Sequence, residues 1–300
     1  MHRYAKKGIK NLSIFDCINI IIMLFVMIVT VYPFYYCIVL SFNDGKDALF
    51  PGIYFWPRMF TLDNYAFIFN NKQLLFAFKN SILRTIIGTA IAVIITSAGA
   101  YALTKKHLIG RRFYLIFFIL TMYFSGGMIP TYLVYRKLGL IDNFLVYILP
   151  PAWSYYNALL CMAFFESIPD SLEESAFIDG AGPIYIFIKI IFPISTPIIA
   201  TISLFIGVWH WNYWFDTMIY TTRSDLQTLQ NLLMIVIREA ENMIKLSQQA
   251  AQLGAVAVFN VTPVTVRVAT MIVTTFPIII VYPFVQKYLI KGIMLGAVKG

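Results

Sequence analysis

The side chains able to do covalent or ionic chemistry are few in this chain, and their spacing excludes most of it. There are 14 acidic residues, 23 Lys and Arg, three His and three Cys in 300 residues. No Ser/His/Asp set, Cys/His set or carboxylate pair converges, so no nucleophile has a base beside it. Cys17, Cys37 and Cys161 lie in or beside apolar runs, without C-x-x-C or Cys/His metal spacing, and read as packing. The pattern G-x-x-x-x-G-K-[ST] is absent, so there is no phosphate-cradling loop. His2 and His107 read as solvated residues and His210 as a hydrogen-bonded residue at an interface. No catalytic residue and no metal ligand is expected.

Two stretches hold what chemistry remains. One is Ile168–Pro197, IPDSLEESAFIDGAGPIYIFIKIIFPISTP, which mixes charges, glycines and prolines between strongly apolar runs. Asp170 with Glu173, or Ser171 with Glu174, fits a capping box, so a short helix is expected from about Ser171 to Ile178. Gly180 supplies a left-handed stop, and Pro183 suits the first turn of a second helix. Ile184, Phe187, Ile188 and Ile191 are placed to anchor that second helix. The product is an elbow over residues 168–193, too short and polar to cross a membrane. The other stretch is Trp209, His210, Trp211, Asn212, Tyr213, Trp214 and Asp216. Its rings could stack on sugars while Asn212 binds hydroxyls. Trp and Tyr also gather at membrane interfaces as anchors, and Tyr123, Phe124, Tyr155, Tyr156 and Asn157 share both readings.

The elements that must position these stretches are membrane spans. The chain is 60% hydrophobic, 17% aromatic and 12% charged, with mean hydropathy +0.76. Soluble domains are about 45–50% apolar and about 25% charged. The formal charge of +9 is spread among apolar runs, which fits anionic lipid and not nucleic acid. Six spans are expected: Cys17–Ser41, Ser81–Leu103, Phe113–Tyr135, Phe144–Phe165, Ile194–Phe215 and Val264–Leu289. The first is too long for a signal-peptide core and is read as retained. The second is rich in Gly, Ala, Ser and Thr, which lets helices approach closely. The third is broken at Ser125-Gly126-Gly127 and Pro130. The sixth carries Pro277 and Pro283 as kinks.

Residues 1–16 form a basic tail, 17–78 the first span with an aromatic external loop, 79–290 the core, and 291–300 a second tail. Within 217–266, Leu226, Leu229, Leu233, Val236, Ala240 and Met243 recur at helical spacing in a second external segment. Basic residues at 105–112 and 287–299 put both termini, and the elbow with them, on the cytoplasmic side of a plasma membrane. Arg136-Lys137 falls outside against that rule. Asp16, Arg84, Glu166, Asp216 and Arg267 are placed near span ends, where side chains can snorkel. Spans without mid-membrane charge argue against an ion-coupled carrier and for a substrate without net charge.

The elbow residues resemble a known pattern. Glu174-Ser175-Ala176, Gly180 and Ile190-x-Phe192-Pro193 are similar to the EAA loop, E-A-A-x3-G-x9-I-x-L-P, of ABC importer permeases, with Ser175 for Ala and Phe192 for Leu. Ile168-Pro169, Glu173-Glu174, Ile178-Asp179-Gly180-Ala181 and the terminal GAVKG resemble the carbohydrate-uptake, maltose-permease-like branch. FSGGMIPTYLV and LGLIDN are similar to permeases that work with lipoprotein binding proteins on oligosaccharides or larger glycans. The resemblance implies an all-α, six-transmembrane-helix type I importer permease. In that family the elbow is a coupling helix that docks on a cytoplasmic ATPase, which assigns Ser171, Leu172, Glu174, Ser175, Ala176, Asp179 and Gly180 to coupling. The residues expected along a substrate path are Tyr123, Tyr156, Asn157, Trp209, Trp211, Asn212 and Tyr213. The implied partners are a second permease subunit, two copies of the ATPase holding ATP and Mg, a solute-binding lipoprotein, an oligosaccharide and membrane lipid. The external segment 217–266 is the expected contact for the binding protein. A permease for an amino acid or peptide shares the elbow and is the alternative.

Overall fold

The computed structural model describes residues 13–70, 72–252 and 262–296. Most of the 1–16 tail, the stretch 253–261 and the last four residues lie outside it. The described elements are all helical, with one isolated antiparallel bridge between Asn43 and Phe60. Contacts divide the chain into two compact units, 1–70 with 236–273 and 71–235 with 274–300.

In the first unit, α1 (Ile14–Ser41) is apolar and exposed until Val39 and Leu40. The loop after it is folded by polar contacts, while its Tyr54, Trp56 and Phe60 rings, the reason to expect packing there, are exposed. Asn43 is buried, donates to Asp47 and accepts from the Met59 amide, while Arg58 pairs with Asp47 at 3.1 Å. Buried Asn64, on α2 (Asp63–Phe69), donates to the Ser41 and Asn43 carbonyls. Val39, Leu40 and Ile53 pack with Val268.

In the second unit, α3 (Lys72–Thr104) is the central member. It starts well before the expected Ser81, because the stretch 72–80, apolar at 74–78 but flanked by Lys72, Gln73, Lys79 and Asn80, is already helical. The third expected span is α4 (Arg111–Tyr123) and α5 (Met128–Lys137), bent by 116° at the glycine break. At 1.5 Å per residue each half is roughly 15–20 Å long, short of the ~30 Å hydrocarbon core. The fourth expected span is helical only as α6 (Tyr155–Phe165); Phe144–Tyr147 and Pro150–Ala152 are 3-10 turns that the prolines keep out of an α-helix.

The elbow comprises α7 (Ser171–Ile178), α8 (Pro183–Ile186), a π-turn at Phe187–Ile191 and α9 (Phe192–Ile194). An 84° bend at Ser195 leads into α10 (Thr196–Asn212). Then come α11 (Phe215–Tyr220) and α12 (Leu229–Gln252), the amphipathic helix expected in the external segment. Finally α13 (Pro263–Gly296) contains Pro277 and Pro283 and continues past residue 291, where a tail was expected. Two described helices, α1 and α3, are long and apolar enough to cross a membrane, and up to four spans result if each bent pair is one. The unit's main core joins α3, α6 and α10 with the elbow through Ala92, Tyr101, Cys161, Phe165, Ile186 and Ile202.

Candidate functional site

The elbow is held at its inner face and open at its outer one. The capping box does not form: Asp170 makes no side-chain cap, and its carbonyl takes the Glu173 and Glu174 amides. Glu173 instead points back to α3, where its Oε2 accepts from Lys105 Nζ and, at 3.3 Å, from the Tyr101 hydroxyl. Ala176 is buried in the core. The expected stop does form, with Gly180 at φ 82° and the Ala181 amide donating to the Ala176 carbonyl at 2.9 Å. Around this anchored face, Ser171, Glu174, Ser175, Asp179 and Gly180 are exposed, and so are Leu172, Phe177 and Ile178, the last at 87%.

The anchor beyond Pro183 matches the expected one at Phe187 and Ile191 and differs at Ile184 and Ile188. Ile184 and Ile188 are exposed, whereas Ile186 and Ile191 are fully buried and Phe187 lies 5.2 Å from the Tyr101 ring. The buried positions are spaced by five because the turn between them is π, not α.

A second polar cluster lies between α3, α10 and α11. Arg84 is 1% exposed and meets Asp216 through two hydrogen bonds, 2.7 and 3.2 Å. It also donates to the Tyr213 carbonyl and lies 4.7 Å from the Tyr147 ring centroid. Neither residue snorkels. Because α3 starts at Lys72, Arg84 lies well inside the helix and is buried against Asp216 rather than reaching out from a span end. The buried pair is self-neutralising. His210 is fully buried rather than interfacial, with neither ring nitrogen bonded, and a Cβ on Gly88 would come within 2.5 Å of its ring.

The segment after α11 is stapled by side chains from several elements. Asn80 donates to the Asp225 and Gln227 carbonyls, Tyr147 to Leu226, and Ser81 accepts from the Leu229 amide. Asp142 accepts from the Thr222 amide and hydroxyl and the Arg223 amide, and these bonds hold its carboxyl below the ordinary range.

No protein-family profile matches the chain. It is 37% identical, over 96% of its length and 99% of the relative's, to the polygalacturonan/rhamnogalacturonan transport system permease protein YtcP of Bacillus subtilis. It is 38% identical over 96% of its length, and 95% of the relative's, to protein LplC of the same organism. A solved bacterial ABC transporter involved in import of the acidic polysaccharide alginate has a chain that matches with TM-score 0.79 and 31% identity, over 92% of this chain and 96% of that one. The chain belongs to the ABC importer permeases.

In this permease the expected path residues do not behave as one group. Trp209 and Tyr213 stack, with centroids 4.4 Å apart, and Asn212 is exposed between them in sequence. Trp211 is turned inward, and its Nε1 donates to the Thr274 carbonyl at 3.0 Å, which removes it from any path. Asn157 is buried on α6, where Tyr156 is exposed, and Tyr123 is exposed at the end of α4. The permease carries no ATPase site of its own. Sequence reasoning missed Tyr101, Lys105 and Glu173 as a group, and the Arg84–Asp216 pair. The available signal was one basic and one acidic residue, each next to apolar runs, with no other charge near to neutralise them.

Proposed function

We propose that the chain is a membrane-spanning subunit of an ATP-driven carbohydrate importer. The observation that carries this is similarity over 96% of the chain to a permease named for galacturonan transport. It favours sugar over the amino-acid or peptide alternative. Both that substrate and alginate, imported by the solved relative, are acidic polysaccharides, and an acidic glycan is preferred over the substrate without net charge expected from the spans.

The elbow's exposed apex supports a coupling role. Leu172, Phe177 and Ile178 are exposed apolar side chains on the same short elbow as exposed Ser171, Glu174, Ser175, Asp179 and Gly180, and exposed apolar groups among polar ones suit contact with a partner protein. That partner is a cytoplasmic ATPase, present in two copies and holding ATP and Mg, with a second permease subunit beside this one and a solute-binding lipoprotein on the other face. The elbow and both termini face the cytoplasm. The Trp209–Tyr213 stack with Asn212 is the substrate-contacting group on this chain, offering ring faces and an amide to sugar.

The test is the reconstituted importer with its binding protein, given trigalacturonate, maltotriose and a tripeptide. Stimulation of ATP hydrolysis by a sugar and not by the peptide is expected. Stimulation by the peptide alone, or a Glu174→Cys label reached only from outside the cell, overturns the reading.

A further inference from the structure

The acidic doublet Glu173-Glu174 sits on the elbow, yet its two members face opposite ways. Successive helical residues are set about 100° apart. Glu174 is exposed with the apex, while Glu173 is only partly accessible and shares the inner face with Ala176. Glu173 is the one carboxylate of α7 that the structure ties to another helix.

Its partners make a single node at the C-terminal end of α3, Tyr101 in the last turn and Lys105 just past it. Tyr101 is buried; its ring packs edge-on against Phe165 of α6 at 6.3 Å and, tilted by 30°, against Phe187 of the π-turn at 5.2 Å. Its hydroxyl donates to Glu173, and Lys105 Nζ lies 4.0 Å from the same ring while pairing with the same carboxylate. One tyrosine and one lysine, a helical turn apart, thus grip both arms of the elbow: α7 through charge and the π-turn through an aromatic face. Further along the same helix, Arg84 holds Asp216 and the Tyr213 carbonyl, next to the Trp209 stack. A rigid α-helix joins the two places, roughly 25 Å apart by its rise.

We infer that Glu173, Lys105 and Tyr101 are positioning residues, the joint by which the elbow's displacement is delivered to α3 and so to the aromatic stack. The inference rests on the coupling role proposed above. A lever whose tip is gripped elsewhere works only if its root is fixed, and this is the polar fixture at the root. The partial exposure of the pair lets it hold orientation without carrying much of the fold's stability.

The experiment uses the whole importer in proteoliposomes, with uptake of trigalacturonate and maltotriose measured against ATP hydrolysed. Glu173→Gln and Lys105→Met should each lower uptake per ATP by about fivefold or more, with the ATPase still co-purifying at the wild-type ratio. The exchange Glu173→Lys with Lys105→Glu should bring the ratio back to within about twofold of wild type, since the pairing is restored in reverse. Spin labels at Ser175→Cys and Ala102→Cys read the joint without any substrate: one narrow distance in the parent and a broad one with Glu173→Gln. Unchanged uptake per ATP in the single variants, or an exchange variant no better than they are, overturns the joint. If the parent importer responds to neither sugar, the carbohydrate reading fails, and the label distances alone decide: equal widths overturn the joint and a broadened variant upholds it.

Discussion

One ion pair starts from within α3 and another from just past its C-terminal end, and the surroundings give the two opposite duties. Arg84–Asp216 is sealed among Tyr147, Tyr213 and neighbouring helices, with the guanidinium 1% exposed. Lys105–Glu173 lies at the rim of the elbow, each side chain about a fifth exposed. A pair removed from water is costly to make and far costlier to break, because the surviving charge has nowhere to go. A pair left partly in water is cheap to make and cheap to lose. The sealed end is therefore intolerant of losing one partner, and the rim allows adjustable orientation.

The sharpest way to break this contrast is Arg84→Ala, which strands the Asp216 carboxylate. We expect a loss of about 3–5 kcal/mol, seen as a fall in thermal unfolding temperature in detergent. The double change Arg84→Met with Asp216→Leu should regain most of it; a double variant as unstable as the single would refute the stranded-charge account. Gly88→Val probes the packing of the same region, since its Cβ would overlap the His210 ring. A cost of about 1–3 kcal/mol is expected, partly relieved in a His210→Ala background. At the rim, Lys105→Ala should cost no more than about 1 kcal/mol in the same unfolding assay. A larger cost would erase the distinction between the two pairs.

The smallest effect is expected at Asp142, a half-buried clamp on Thr222 and Arg223. Its carboxyl titrates below the usual 3.8, chiefly because it accepts from the Thr222 amide and hydroxyl. A depressed folded-state value means that its contribution is complete above that ordinary value and vanishes as pH falls through the lower one. Pepsin cleavage near Thr222 should therefore rise only in that acidic window, whereas Asp142→Asn should show it already at the top of the window. Identical pH profiles for the two would remove Asp142 as the clamp.

Much of the elbow was legible from residues alone. The bounds of α7, the left-handed Gly180 and the restart at Pro183 follow from local chemistry, and local chemistry decided them. The orientation of Glu173 was not legible, because a capping box and a tertiary ion pair use the same residue, and the tertiary partner prevailed. The buried side of the second arm was half right: Phe187 and Ile191 pack inward as expected, while the α spacing that also nominated Ile184 and Ile188 fails because a π-turn re-aims the face. Arg84 was read as peripheral because hydropathy starts the span where apolar residues begin, while the helix itself begins at Lys72. Among the aromatic residues, composition could not separate Trp211, whose ring nitrogen finds a buried carbonyl, from Trp209, whose ring finds Tyr213.

The wide turn at Phe187–Ile191 acts as a phase setting between Pro183 and α10. It holds one residue more than an ordinary helical turn spends on the same arc, so excision of any one of its five residues would tighten it and rotate one flank against the other by about a hundred degrees. Ile186 and Ile191 could then no longer both face inward. The length of this arm, more than the identity of its residues, sets the direction in which the apex looks.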